Sequence, residues 1–110
     1  DQKFLDTVNS IIEKNLDNIE FDMNTMAREL GLSRSSLYAK FKALTGMTPN
    51  DFVLNCKLKR AATMLTETPS LQIADISDRL GFGSPRYFTR CLKAQFEITP
   101  AEYRKRGKNT

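Results

Sequence analysis

Histidine is absent from this 110-residue chain and cysteine occurs only twice. Without histidine there is no Ser-His or Cys-His nucleophile pair and none of the usual zinc sites. Cys56 and Cys91 stand apart, each inside a helical pattern, and are expected as free buried thiols of a reducing compartment rather than as a disulfide. No glycine-rich phosphate loop is present. No apolar run approaches membrane-spanning length, and there is no signal-peptide pattern. These absences leave no constellation for catalysis, so neither enzymatic activity nor a metal or other cofactor is expected. The chain begins at Asp1 rather than Met, which suggests a piece excised from a longer protein.

Charge is unevenly spread. The net value is +4, but residues 1–32 hold three Lys/Arg against seven Asp/Glu, while residues 33–110 hold fourteen against six. A basic excess of this kind suits a polyanionic partner, a solvated basic surface being the plain alternative.

The basic part starts within a stretch that the chain writes twice. Met26 to Phe52, MARELGLSRSSLYAKFKALTGMTPNDF, returns as Ile76 to Tyr103, ISDRLGFGSPRYFTRCLKAQFEITPAEY. Leu30-Gly31 falls on Leu80-Gly81, Lys42-Ala43 on Lys93-Ala94, and Met47-Thr48-Pro49 on Ile98-Thr99-Pro100. The second copy has one extra residue in the turn, where Gly-Leu-Ser becomes Gly-Phe-Gly-Ser. Each copy has the outline of a short helix, a glycine turn and a longer helix, which is a helix-turn-helix.

Ahead of the repeat, Phe4, Leu5, Val8, Ile11, Ile12 and Leu16 form a helical stripe, predicting a supporting amphipathic helix over 2–17. Asp22 is positioned to cap the short helix 23–30, with Phe21 and Met26 as a hydrophobic staple and Gly31 as its left-handed stop. Ser33 caps a helix from Arg34 to about Leu44, in which Leu37, Phe41 and Leu44 face inward. Thr48-Pro49 opens a long helix over 50–66, a rod between the copies, with Lys57, Lys59 and Arg60 along its polar face. The segment 66–71 is a linker broken by Pro69, and Gln72 or Ser70 caps the next short helix. Ser84-Pro85 opens the second long helix, with Phe88, Leu92 and Gln95 or Phe96 inward. A short helix over 101–106 packs through Tyr103, and the basic run Arg104 to Lys108 is expected to fray. The fold class is therefore all-α, with a first helix-turn-helix unit over about 22–45, a linker helix over about 49–66 and a second unit over about 71–96.

At about 100° per residue, the positions opposite the buried stripes are Ser35, Ala39 and Lys42 in one long helix, flanked by Tyr38 and Ser36, and Arg86, Arg90 and Lys93 in the other, flanked by Tyr87 and Thr89. Small residues permit close approach to a surface, and the arginine fork can bind guanine O6 and N7 bidentately or clamp a phosphate. A helix presenting donors from its N-terminal half and braced by a shorter helix suits the DNA major groove. Ser35, Tyr38, Ala39, Arg86, Tyr87 and Arg90 are the candidates for base contact. Ser33, Arg34, Ser36, Lys42, Ser84, Thr89 and Lys93 are the candidates for phosphate contact. Two such helices on one chain would enter successive major-groove segments about 34 Å apart, so that a monomer reads an asymmetric site.

GFGSPRYFTRCLKAQFEITPAEYR, residues 81–104, together with GLSRSSLYAKFKALTGMTP and KLKRAATML, resembles the DNA-binding domain of the AraC/XylS family of bacterial transcription regulators. The resemblance covers about residues 4–106. It implies seven helices, base contacts from the six positions just named, an upstream sensing or receiver module, and contact with RNA polymerase in activating a promoter. It also implies a cytoplasmic domain, in a full-length protein that is either a ligand-sensing activator or a membrane-linked two-component hybrid. Leu92 stands where the family usually has Phe, Glu97 where it has Gly, and Lys57 where Arg is common. A helical protein-interaction module is the competing reading.

Overall fold

The chain folds into seven α-helices in a computed structural model that describes residues 2–18 and 20–107. No strand occurs among the described residues. The helices are α1 Gln2–Asn15, α2 Met23–Leu30, α3 Arg34–Thr45, α4 Pro49–Glu67, α5 Ile73–Arg79, α6 Pro85–Phe96 and α7 Pro100–Gly107. Helices α2, α3 and α6 each end on a left-handed cap residue. The chain forms two compact units, residues 1–56 and 57–110, with the division inside α4.

In the first unit α1 buries Val8, Ile11 and Ile12, and Leu16 remains buried just past the helix end. The helix ends at Asn15 rather than 17; Asn15 turns its amide back onto Ile11 O at 2.7 Å, and Asn18 N closes a turn onto Asn15 O. Asp22 caps α2 by accepting from Thr25 N at 2.8 Å and from the Thr25 hydroxyl at 3.0 Å. Those two bonds hold its carboxyl below the ordinary carboxylate value. Gly31 sits at φ 69°, and Leu32 N reaches back to Ala27 O at 2.9 Å, ending α2 with a left-handed cap. Phe41, wholly buried in α3, meets Phe4 of α1 edge-on at 6.0 Å and Phe52 of α4 at 5.3 Å. Removing such a ring costs roughly 3–5 kcal/mol. Leu44, expected inside, is only half-buried.

The second unit repeats this plan with substitutions. Ser84 accepts from Tyr87 N at 3.1 Å to cap α6, and Phe88 and Leu92 are fully buried along its inner face. Phe82 N donates to Ser77 O at 3.0 Å, matching the Leu32-to-Ala27 bond. Phe82 is thus the counterpart of Leu32, and the inserted residue is Gly83, at φ 84°. Phe82 is buried and tilts against Phe88 at 4.9 Å, so the longer turn is plugged by an aromatic ring.

Several expectations need correction here. Gln72, not Ser70, is the N-cap of α5, and it makes no side-chain capping bond. Of the pair Gln95 and Phe96, Gln95 is exposed, while Phe96 is half-buried and stacks on Tyr103 at 5.4 Å. Cys56 and Cys91 are not joined in a disulfide, and both are half-buried rather than buried. Lys57 is likewise half-buried, and desolvation lowers its pKa, whereas Lys59 and Arg60 are exposed.

The basic segment Arg104 to Arg106 is not frayed: α7 runs on to Gly107, with a Thr99–Glu102 capping box at its start. Arg104 Nε donates to Leu65 O at 3.0 Å, and Nη2 reaches Thr68 O and Leu71 O. One guanidinium therefore donates to Leu65 O in the last turn of α4, a carbonyl that helix geometry leaves without a donor, and to two carbonyls of the linker beyond it. Lys108 lies outside the described residues.

Candidate nucleic-acid interface

Ser33 sets the start of α3. Its Oγ accepts from Ser36 N at 3.1 Å and donates to Ser36 Oγ at 3.0 Å, so this hydroxyl is committed to capping. With Leu37 and Phe41 turned fully inward, Arg34, Ser35, Ser36, Tyr38, Ala39 and Lys42 are all exposed, Tyr38 at 37%. The cations of this helix are partly occupied by their own unit. Lys40 Nζ lies 4.4 Å from the centre of the Phe4 ring, and Lys42 Nζ points back to Gly46 O at 3.4 Å. Ser35 and Ala39, also exposed, carry no charge.

The second long helix differs. Pro85 fixes the first turn, α5 packs behind it, and Arg86, Tyr87, Arg90 and Lys93 are exposed. Arg86 and Arg90 are one turn apart, and neither guanidinium has a hydrogen bond or ion pair among the described residues. Tyr87 is 45% exposed and leans on Phe82 at 6.1 Å. Hydrogen bonding with Cys91, one turn on, followed by the thiol's charge, raises its phenol above the ordinary value, with Arg90 opposing. Ser84 and Thr89 are half-buried and thus less accessible to a phosphate than expected.

Each unit therefore brings its three base-contact candidates to solvent on one helix. Sequence reasoning missed Arg104, which it assigned to a basic tail although the molecule uses it as an internal clamp. The repeat register held the signal: Arg104 falls on Val53, which is buried.

Residues 26–106 match the family described as "Helix-turn-helix domain". A protein named Histidine kinase P4, from Formosa agariphila, is 42% identical over 106 residues, which make up 96% of this chain and 8% of that protein. The chain spans 8–35% of the length of the first curated relatives that it matches. Among solved structures, a transcriptional regulator from Chromobacterium violaceum, described as one of the AraC-type DNA-binding domain-containing proteins, is 31% identical with a TM-score of 0.89, over 96% of this chain and 93% of that one. The DNA-binding domain of AdpA, solved in complex with a target DNA, is 25% identical with a TM-score of 0.76, over 89% of each chain.

Proposed function

Because this chain belongs to the AraC-type helix-turn-helix family, we propose that it is the DNA-binding output domain of a bacterial transcription regulator, with α3 and α6 as recognition helices. One observation carries the residue roles. α6 is fully buried at Phe88 and Leu92, while on its exposed surface Arg86 and Arg90 stand one turn apart, neither with a hydrogen bond or ion pair among the described residues. Such unpaired forks are suited to guanine edges. On DNA the two helices enter successive major-groove segments about 34 Å apart, so that one chain covers an asymmetric site. Ser35, Tyr38 and Ala39 make the base contacts of α3. Backbone N–H groups at the starts of both helices, with Arg34, Ser36 and Lys93, hold phosphates.

The whole protein joins this domain to a sensing module and activates transcription through RNA polymerase in the cytoplasm. The histidine kinase relative, of which this chain would form 8%, supports a hybrid two-component arrangement. A protein-interaction module is not favoured, since a structural neighbour is held on its target DNA.

The test is a titration of promoter fragments. Arg86→Ala and Arg90→Ala each weaken binding by about 1–3 kcal/mol and relax the preference at one base position. Affinity falls steeply with salt as phosphate contacts release counterions. Unchanged specific binding by both variants overturns the role assignment. Binding that survives moderate salt and ignores competitor DNA overturns the function.

A further inference from the structure

Lys and Arg number three in α3 and three in α6, yet the two units are not electrically alike. Divided at residue 56, the first unit holds six Lys/Arg against eight Asp/Glu, and the second holds eleven against five. The first is thus net acidic and the second strongly basic. Within the helices the difference is one of placement. The repeat register sets Ser35 against Arg86 and Ala39 against Arg90, so two of the proposed base-contact positions are neutral in one copy and guanidinium-bearing in the other. Of the three α3 cations, Arg34 is exposed at the start of the helix, Lys40 is drawn over the Phe4 ring and Lys42 is drawn back to Gly46 O.

We propose that the two units divide the work on DNA: the second anchors the chain on a guanine-bearing half-site through Arg86 and Arg90, and the first reads its half-site weakly, through Ser35 and a methyl contact from Ala39. This deepens the DNA-binding reading and rests on it. The affinity follows from charge, since each neutralised phosphate releases counterions, and the net-acidic unit supplies less of this attraction than the basic one. The base preference follows from chemistry. A bidentate arginine–guanine pair discriminates strongly, whereas Ala39 offers only its methyl group to a thymine methyl. Arg86 and Arg90 lie about 6 Å apart along the helix at roughly 1.5 Å per residue. That separation is close to two base steps of about 3.4 Å, so their guanines are expected within two steps of one another.

The experiment is selection from randomised duplex DNA with the whole chain, followed by titration of the selected site with one half-site scrambled at a time. Scrambling the guanine-bearing half-site lowers affinity by about a hundredfold or more, and scrambling the other by less than about tenfold. Ala39→Arg, a gain-of-function variant, adds a guanine preference to the first half-site. Equal loss from both scrambles, or a larger loss from the first, overturns the division while leaving DNA binding intact. Arg90→Ala weakening all sequences alike, with a shallower salt slope, makes Arg90 a phosphate clamp and overturns the guanine assignment. No enriched sequence at all overturns the DNA-binding reading itself.

Discussion

Glu97 occupies the left-handed region at φ 68° and ψ 6°, where its counterpart in the first unit is Gly46 at φ 76° and ψ 0°. Both residues end a long helix in the same way, with their N–H donating to the carbonyl four residues back, Lys93 O at 2.7 Å and Lys42 O at 3.0 Å. The backbone requirement is the same, but only glycine meets it without a Cβ clash. A side chain in this region costs about 1–2 kcal/mol. Substituting glycine returns about 0.4–1 kcal/mol of that through the freer unfolded chain. A carboxylate at a helix C-terminus also faces the negative end of the helix dipole, a few tenths of a kcal/mol at an exposed site. Glu97→Gly is therefore expected to stabilise the domain by about 0.5–1 kcal/mol, raising Tm by roughly 2–5 °C for a chain of this size. Thermal unfolding followed by far-UV circular dichroism measures it. Glu97→Gln removes the charge alone and is expected to recover only the dipole share. The mirror change, Gly46→Ala, meets no atom within 4 Å of the added Cβ, so its loss reports the backbone cost by itself. If Glu97→Gly leaves Tm unchanged or lowers it while Gly46→Ala is also neutral, the backbone argument fails.

Ser77 is wholly buried, and its hydroxyl has no hydrogen-bond partner among the described residues, whereas the first unit has Ala27 at that position. Ser77→Ala is expected to raise stability in denaturant titration by about 1 kcal/mol, and a loss of that size would mean that the hydroxyl is bonded after all. Arg104→Ala leaves the carbonyls of Leu65 and Leu71 without this donor and is expected to cost about 2 kcal/mol or more. Arg104→Lys, lacking the fork, should recover less than half of that loss. Asp22 and Glu102 both titrate lower in the folded chain than their ordinary values of 3.8 and 4.5, mainly because backbone N–H groups of Thr25 and Thr99 bond to their charged forms. Their contribution is thus complete above those values and is lost as pH falls below them. Acid unfolding of Asp22→Asn should be less steep than that of the wild type over this range.

The helices were legible because local signals agree with tertiary demand. Asp22, Ser33 and Ser84 each accept from the N–H three residues on, and each heads a run whose apolar spacing matches a buried face. Exposure of the six base-contact candidates was legible for the same reason, since the positions opposite a fully buried stripe must face away from it. Less legible was what exposed polar groups do once they meet their neighbours. Lys40 over Phe4, the Ser33 hydroxyl turned to Ser36 and the half-buried Ser84 and Thr89 all depend on distances that periodicity cannot supply. Gln72 illustrates a different limit. Its backbone has the extended geometry of a cap, but the longer side chain makes no capping bond, and nothing in the sequence chose between it and Ser70.

Comparison of the copies shows where one sequence pattern supports two solutions. Leu37 and Phe41 in α3 become Phe88 and Leu92 in α6, so the large and medium side chains exchange places along the inner face and all four remain buried. Such a swap conserves volume, which is what close packing requires of a core. In the second unit the aromatic ring of the inner face is thus Phe88, which tilts against Phe82. Val53 to Arg104 is a change of another kind. An apolar core position becomes a guanidinium that remains half-buried only because the end of α4 and the linker present carbonyls to it. Ser77 and Glu97 have no compensation of this sort, and restoring the first unit's residue should help at both. At Arg104 it should not: Arg104→Val would bring back the apolar side chain of the first unit and leave the Leu65 and Leu71 carbonyls without their donor. A departure between the copies thus marks a specific device where the new side chain has partners, and tolerated strain where it has none.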